Sequence, residues 1–140
     1  MSVIKSKRQE GKLQVLIKAR ELATYTTHIL GNEKAFPKRS RWIIAQQIAD
    51  ETINIYKYCR RANAVSVETD SDYAYRHEQQ VKAYSCCESL LSLIEIAYNL
   101  YNIESNRIEY WTGLVLETEK LLGKWKLSDK HRYNNESADN

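Results

Sequence analysis

The sequence predicts an all-α protein that folds as an antiparallel up-down-up-down four-helix bundle, and three observations support this fold class. The 140 residues include only four glycines and one proline, whereas β-sheets need frequent turns that draw on both residues. Apolar residues recur at helical spacing along four long segments. The connections between these segments are short, which favours antiparallel neighbours. The length suits one domain with its own core.

The first predicted helix covers residues 12–30, where apolar residues form two neighbouring stripes. One stripe consists of Leu13, Leu16, Ala23 and Leu30, and the other of Val15, Ala19, Leu22 and Ile29. Gly31 then ends the helix, because glycine is common just after a helix C-terminus. Residues 1–11 are basic and aperiodic, so we predict a flexible arm ahead of the bundle.

The second predicted helix covers residues 38–62. It begins after Pro37, at a position where a missing N–H group costs nothing. Its apolar stripe consists of Ile44, Ile48, Ile55 and Cys59. Residues 63–71 form the next loop, and four candidate N-cap residues at 69–72 mark the start of the third helix.

The third predicted helix covers residues 72–102, or about 45 Å at 1.5 Å per residue. Its apolar residues step by three and four along two adjacent stripes. The first stripe consists of Tyr84, Cys87, Leu91, Ile94, Tyr98 and Tyr101, and the second of Leu90, Leu93, Ala97 and Leu100. The first stripe is typical of a helix that packs lengthwise on another helix.

The fourth predicted helix begins at a cap residue, Ser105 or Asn106, and ends near residue 122, before Gly123. Residues 126–140 are polar, rich in asparagine and aperiodic, so we predict a disordered tail. The bundle itself is therefore expected to span residues 12–125.

The doubled stripes of the first and third helices predict a homo-oligomer. In a single antiparallel bundle each helix buries an apolar face roughly 100° wide, and two stripes exceed that width. The excess apolar surface is expected to be buried against another copy of the chain.

The composition argues against a membrane or secreted protein. No apolar run reaches the ~18–20 residues that cross a bilayer, and no apolar segment follows the basic N-terminus, as a secretion signal requires. We therefore expect a cytoplasmic protein without membrane contact. Cys59, Cys86 and Cys87 are expected to be buried or half-buried thiols, because an odd number with an adjacent pair suits neither disulfides nor a metal site.

No pattern in the sequence indicates a catalytic, cofactor or metal site. A di-iron bundle needs Glu-x-x-His on two helices, and no histidine here follows a glutamate at that spacing. The residues found there are Tyr25 before His28, Ala74 before His77, and Ser128 before His131. No glycine-rich phosphate loop is present either. We therefore predict a protein that is not an enzyme and that holds no cofactor and no metal.

Charge is unevenly distributed along the chain. Residues 1–63 contain 13 Lys and Arg against 5 Asp and Glu, a net charge of +8, whereas residues 64–140 contain 8 against 13, a net charge of −5. Such a split predicts a basic surface on one part of the fold. The alternative is solvated helix faces combined with ion pairs between subunits.

Basic residues cluster at both ends of the second helix and along the first. The candidates for nucleic-acid binding are Lys38, Arg39 and Arg41, then Lys57, Arg60 and Arg61, and finally Lys18 and Arg20. Clusters of this kind bind phosphates, and a neighbouring Trp or Tyr can stack on an unpaired base. We assign no base-stacking role at this stage, because most tyrosines of a helical bundle belong to its core.

Several segments of the chain resemble one protein family. Phe36-Pro37-Lys38, followed by Trp42-Ile43-Ile44-x-x-Gln47-Ile48, resembles the FPK…L..QI stretch of the small four-helix-bundle family of ribosomal-RNA intervening-sequence proteins. Residues 83–91 and 94–103 are similar to the third helix of that family. Residues 111–125, which close on Leu122-Gly123-Lys124-Trp125, are similar to its last helix. The resemblance covers residues 12–125.

The same family includes the accessory variability determinant of diversity-generating retroelements. The resemblance implies a pentameric ring with a basic surface. For the retroelement branch it also implies a reverse transcriptase as partner, with RNA or DNA bound during mutagenic copying. Members of that branch are strongly basic, whereas this chain has a net charge of only +3, which bears on how far the nucleic-acid surface extends.

Three functional hypotheses follow. In the first, the chain is a non-catalytic accessory protein that binds template RNA or cDNA through its basic surface for a reverse transcriptase. In the second, a homo-oligomeric scaffold recruits a protein partner through charge, without direct RNA contact. The third is an enzyme with an unrecognised site, because a Ser–His–Asp triad is assembled in space rather than in sequence.

The oligomer can be tested by mass. If apolar stripes are buried between copies, light scattering at micromolar concentration should give several times the 16.4 kDa of one chain. For the ring of five that the resemblance implies, the ratio is about five. A clean monomer at that concentration would exclude the ring.

Overall fold

The computed structural model of the protein describes the backbone of residues 2–138. Within residues 11–134 it also describes the side chains, apart from those of Leu13, Ser40 and Arg41. Over this part all regular secondary structure is helical, and no strand is present. Its four α-helices are α1 (Ser2–Leu30), α2 (Gln46–Ala64), α3 (Asp70–Leu100) and α4 (Ser105–Ala138). The predicted all-α class with four helices is confirmed.

The helices pack around one core in the order of the chain. Each helix lies beside its neighbours in sequence, and α1 also lies beside α4. The end of α1 meets the beginning of α4, where the Trp111 indole N–H donates a hydrogen bond of 2.9 Å to the Thr26 hydroxyl oxygen. The rings of Tyr25 and Tyr110 pack edge to face, 4.8 Å apart, at the same level. This arrangement is that of an up-down-up-down bundle.

The predicted start of the first helix was wrong, whereas its predicted end was right. The backbone of α1 is helical from Ser2 rather than from residue 12, because lysine, arginine and glutamine favour a helix even without an apolar stripe. The side chains of residues 1–10 lie outside the described part. The flexibility of residues 1–11 therefore stays a prediction. At the other end, α1 stops at Leu30 as predicted, although Gly31 does not adopt the left-handed conformation.

The fourth helix does not end at Gly123 but continues to Ala138, through most of the predicted disordered tail. Trp125 and Asp129 are buried, so the core stripe of Trp111 and Leu122 extends further along the helix. A glycine inside a helix costs only about 1 kcal/mol relative to alanine, which this burial offsets. The sequence pattern missed the extension because one of the buried residues is charged.

The segment predicted as the start of the second helix is helical, but it is not α-helical. Lys38–Ser40 form a 3-10 turn and Arg41–Ala45 a π-helical turn, so α2 begins only at Gln46. The side-chain amide of Gln47 donates a hydrogen bond of 2.9 Å to the Ile43 carbonyl oxygen. This bond supports the irregular turn, where the regular i to i−4 ladder is interrupted.

The cap of α3 is the first of the four predicted candidates, and the helix begins at Asp70, two residues before its predicted start. Thr69 is the N-cap residue, and its hydroxyl oxygen accepts a hydrogen bond of 3.1 Å from the Asp72 backbone N–H. In return, the Asp72 carboxylate accepts one of 3.2 Å from the Thr69 backbone N–H. This reciprocal capping box satisfies two donors that the helix leaves free. Hydrogen bonds from backbone N–H groups, that of Glu68 first, lower the pKa of Asp72.

The buried face of α3 lies between the two predicted stripes. Cys87 and Ile94 come from the first stripe, Leu90 and Ala97 from the second, and all four are buried. Leu91 and Leu93 pack half-buried at the two edges of this face. Much of the doubled apolar surface of α3 is therefore used inside one chain, and the case for an oligomer must come from other exposed apolar residues.

A buried ionic network joins three helices at the end of the bundle opposite Trp111. Arg76 of α3 is 2% exposed, and its guanidinium lies 3.4 Å from the carboxylate of Asp129 on α4, which is 7% exposed. The same guanidinium donates to the backbone carbonyl oxygens of Ala62 and Val65 at the C-terminus of α2. Gln80 donates to Asp129 at 3.0 Å. The network thereby supplies donors to two backbone carbonyl oxygens at the end of α2.

Loss of Asp129 should be costly. The Asp129→Ala variant leaves the Arg76 charge buried without a counterion, which typically lowers the free energy of unfolding by about 3–5 kcal/mol. Urea denaturation should show a lower midpoint with an unchanged slope.

Glu117→Ala, on the exposed side of α4, is the matched control and should stay within about 0.5 kcal/mol. The pair Arg76→Met and Asp129→Leu should recover much of the loss, because no charge is then buried. If Asp129→Ala is as stable as the parent, the pair of Arg76 and Asp129 does not hold the three helices together.

Candidate nucleic-acid interface

Three of the eight candidate side chains share one face of α2. The helix buries Ile48, Ile55 and Cys59 in the core, so residues on the opposite side point to solvent. Lys57, Arg60 and Arg61 are all exposed, and at spacings of three and four they are neighbours on the helix surface. Within the described residues none of the three forms an ion pair with a carboxylate.

The basic surface continues onto α3 through a tyrosine. The Arg61 guanidinium carbon lies 5.5 Å from the centre of the Tyr58 ring, and the Lys82 ammonium nitrogen of α3 lies 5.8 Å from it. Lys82 also forms an ion pair of 3.2 Å with Glu78. We call Lys57, Arg60, Arg61 and Lys82 the α2–α3 basic surface. Lys82 was not predicted, because it is isolated in sequence and reaches the cluster only through packing.

The second cluster lies at the other end of α2. From Gln46 to Arg60 the helix rises about 20 Å, and Lys38 and Arg39 precede Gln46. Both side chains are exposed, and the Lys38 ammonium lies 3.4 Å from the Glu33 carboxylate. The side chain of Arg41 lies outside the described part. The two predicted clusters of α2 are therefore two separate surfaces rather than one patch.

The two candidates on α1 diverge. Residues two apart point to different sides of a helix, and the Lys18 ammonium is held in an ion pair of 3.0 Å with Glu21. Arg20 instead lines an open groove of about 340 Å³ between α1 and α4, together with Tyr25, His28 and Tyr110. Lys18 and Arg20 thus do not form a pair, and neither joins the α2–α3 basic surface in a described contact.

The π-helical turn exposes a tryptophan beside the second cluster. Trp42 is 91% exposed, and the adjacent Ile43 is 66% exposed. From the sequence, a Trp beside these cations was a possible stacking residue without an assigned role. The 3.6-residue period does not indicate that a π-helical turn exposes this side chain. Trp111 and Trp125, by contrast, are buried.

The three cysteines are buried or half-buried, as predicted. Burial raises the pKa of Cys59 and of Cys86 to about 12, and it also raises the pKa of Cys87. These thiols therefore stay protonated at neutral pH, and a protonated thiol is a poor nucleophile. Across the residues that the structure describes, no group of three or more His, Cys, Asp or Glu side chains is placed to hold a metal ion. None of the helices in this part combines the length and the apolarity needed to cross a bilayer.

Comparison with known proteins adds no relative: no family model matches the chain, and neither the curated proteins nor the solved structures contain a match. The likeness to the ribosomal-RNA intervening-sequence proteins thus depends on the sequence segments quoted above, and membership of that family stays a prediction.

One buried carboxyl stands apart from this charge pattern. Glu119 of α4 is 9% exposed, and one of its oxygens is buried without a hydrogen-bond partner in the described residues. Burial first, and then the neighbouring Glu88 of α3, raises the pKa of Glu119 to about 7. The charge of Glu119 also raises the pKa of Tyr84, and it adds to the effect of burial, which raises the pKa of Cys87. The proton that Glu119 retains below this pKa removes one negative charge between α3 and α4.

The stability of the fold should fall as pH rises through the range in which Glu119 loses its proton. The folded protein holds the proton up to about pH 7, whereas the unfolded chain releases it near pH 4.5. Within that window unfolding therefore releases a proton, and a higher pH favours the unfolded state. Between about pH 5 and about pH 8 the free energy of unfolding should drop by about 1–3 kcal/mol.

Glu119→Gln, which stays neutral, should flatten this pH dependence and be more stable than the parent at about pH 8. Glu117→Gln, on the exposed side of α4, should keep the slope of the parent. Urea titrations of the three proteins across this range provide the measurement. A parent stability that does not change with pH would contradict the assignment.

Proposed function

We propose that the protein is a non-catalytic, nucleic-acid-binding accessory protein that works with the reverse transcriptase of a diversity-generating retroelement. In this role it binds template RNA or cDNA through the α2–α3 basic surface. One observation carries the nucleic-acid part of the proposal: Lys57, Arg60 and Arg61 are exposed on one face of α2, without a carboxylate partner in the described residues.

Cations without a carboxylate partner lose no existing ion pair when they bind a phosphate. A lysine already paired with a carboxylate must break that pair to reach a phosphate, whereas Lys57 and Arg60 have no such bond to lose. Each phosphate that is neutralised releases condensed counterions from the nucleic acid, and this release drives binding. Arginine also offers a planar fork of donors that matches phosphate oxygens. The surface therefore suits a polyanion better than a single small anion.

The other candidates have supporting roles in this proposal. Lys38, Arg39 and Arg41 form a second contact region at the opposite end of α2. Arg20, in the groove between α1 and α4, and Lys18, with its bond to Glu21, provide weaker attraction on α1. The reverse-transcriptase partner, the cytoplasmic location and the absence of catalysis are proposed from the sequence resemblance and composition.

We also propose that the protein acts as a ring of five copies. Ile53, Leu116 and Leu127 are each at least 50% exposed, and exposed apolar side chains of this size are candidates for subunit contacts. A ring would repeat the α2–α3 basic surface around its axis. Several phosphate contacts per complex would follow, even though the net charge of one chain is small.

The proposal is tested by removing the charge of this surface. The triple variant Lys57→Ala, Arg60→Ala and Arg61→Ala should weaken binding to unrelated RNAs about equally, because phosphate contacts carry no sequence information. Its log–log salt slope should fall by about 0.7 per lost contact on single strands and by about 0.9 on duplex. Affinity measured between about 50 and 200 mM salt gives both quantities.

The matched control removes three exposed lysines from α4, as Lys120→Ala, Lys124→Ala and Lys130→Ala. It has the same net charge as the test variant, so a purely global charge effect would weaken both equally. An equal loss of RNA affinity in the two variants, or no binding of the parent at about 50 mM salt, would overturn the proposed RNA binding through this surface. The scaffold that recruits a protein partner would then be the function to pursue.

A further inference from the structure

The most exposed large apolar side chain of the described residues is Trp42. An indole left in water forgoes the burial of roughly 150–250 Å² of apolar surface. Trp111 and Trp125 avoid this cost, because both are at most 5% exposed. Trp42 instead stands on a π-helical turn, a local irregularity that is frequent at functional sites. We therefore expect Trp42 to contact a partner outside the bundle.

The charges around Trp42 indicate the chemistry of that partner. Lys38 and Arg39, in the 3-10 turn just before it, are both exposed. The ion pair of Lys38 with Glu33 is itself exposed, and such pairs contribute little and exchange easily. A flat aromatic ring with cations beside it matches an unpaired base with its adjacent phosphates. A base inside a duplex is already stacked on its neighbours and cannot reach the ring.

Two other partners fit less well. In a twofold contact between two copies, each Trp42 would bring its Lys38 and Arg39 against the same cations of the other copy, and like charges would repel. A membrane surface needs a broad apolar face, but Gln46, Gln47 and Asp50 follow Ile43 as exposed polar residues.

We propose that Trp42 is a stacking platform for an unpaired base, and that Lys38 and Arg39 hold the adjacent phosphates of a single strand. This inference deepens the proposed function and depends on it. The α2–α3 basic surface does not distinguish the two forms of nucleic acid, because cations on a helix face bind duplex and single strand alike. Trp42 adds a preference for the single strand. The region at the start of α2 selects single-stranded or looped nucleic acid.

The test uses the fluorescence of the protein itself. Of its three tryptophans, only Trp42 faces water, so a base that stacks on it should quench the solvent-exposed part of the emission. The probe is an unstructured oligothymidylate of about 16 nucleotides, compared with a duplex of the same length. Quenching is expected with the single strand, and Trp42→Phe, which keeps only the two buried tryptophans, should show none.

Affinity gives the second readout. Trp42→Ala should bind the single strand about tenfold to a hundredfold more weakly and bind the duplex as the parent does. Trp42→Phe should keep most of the affinity, because a phenyl ring still offers a face for stacking. Ile96→Ala, which removes another exposed apolar side chain on α3, is the matched control and should bind as the parent does.

The outcomes separate the two proposals. If neither strand binds, the proposed function fails, and this inference fails with it. If the single strand binds without quenching, and Trp42→Ala binds as the parent does, only the stacking platform is overturned. A Trp42 emission that shifts on dilution of the free protein would assign the side chain to a contact between copies. A shift with anionic vesicles, but not with the oligonucleotide, would assign it to a membrane surface.

Discussion

The buried guanidinium of Arg76 is the constraint on which the geometry of the bundle depends. It lies on α3, pairs with Asp129 of α4, and donates to the carbonyl oxygens of Ala62 and Val65 at the end of α2. Burying such a charge is costly, and the cost is offset only when its donors are satisfied. Here one side chain acts both as the C-terminal cap of α2 and as the counterion of α4. The ends of three helices are thereby fixed relative to one another.

This constraint also determines where the other charges face. With its end held by Arg76, α2 keeps Cys59 and Ala62 in the core, so Lys57, Arg60 and Arg61 remain on the opposite side. Arg76 and Asp129, buried as a pair, are withdrawn from the surface. At the other end of the bundle, no comparable network of described side chains binds residues 38–45. There the buried ring of Phe36 packs against Trp111 and Tyr101, and the chain enters α2 through turns that leave Trp42 outside.

Much of the fold could be predicted from the sequence because it depends on periodicity and composition. Scarce glycine and proline, the apolar stripes and the cap residues before α3 were sufficient for the class, the helix number and the start of α3 to within two residues. The extension of α4 was missed because a buried aspartate reads as a polar tail residue. Its partner Arg76 lies 53 positions away in the chain, and no local pattern connects the two.

What the sequence by itself determined is therefore the set of helices, the presence of basic clusters and the burial of the three thiols, since each depends on residues close together in the chain. Only the tertiary structure decided which cations share a surface. It brought Lys82 of α3 to the ring of Tyr58. The distance from Lys38 and Arg39 to Arg60 and the different directions of Lys18 and Arg20 already follow from the rise and period of a helix. The reason is that a helix converts sequence distance into direction and height, and only packing against a second helix decides which of those directions meet.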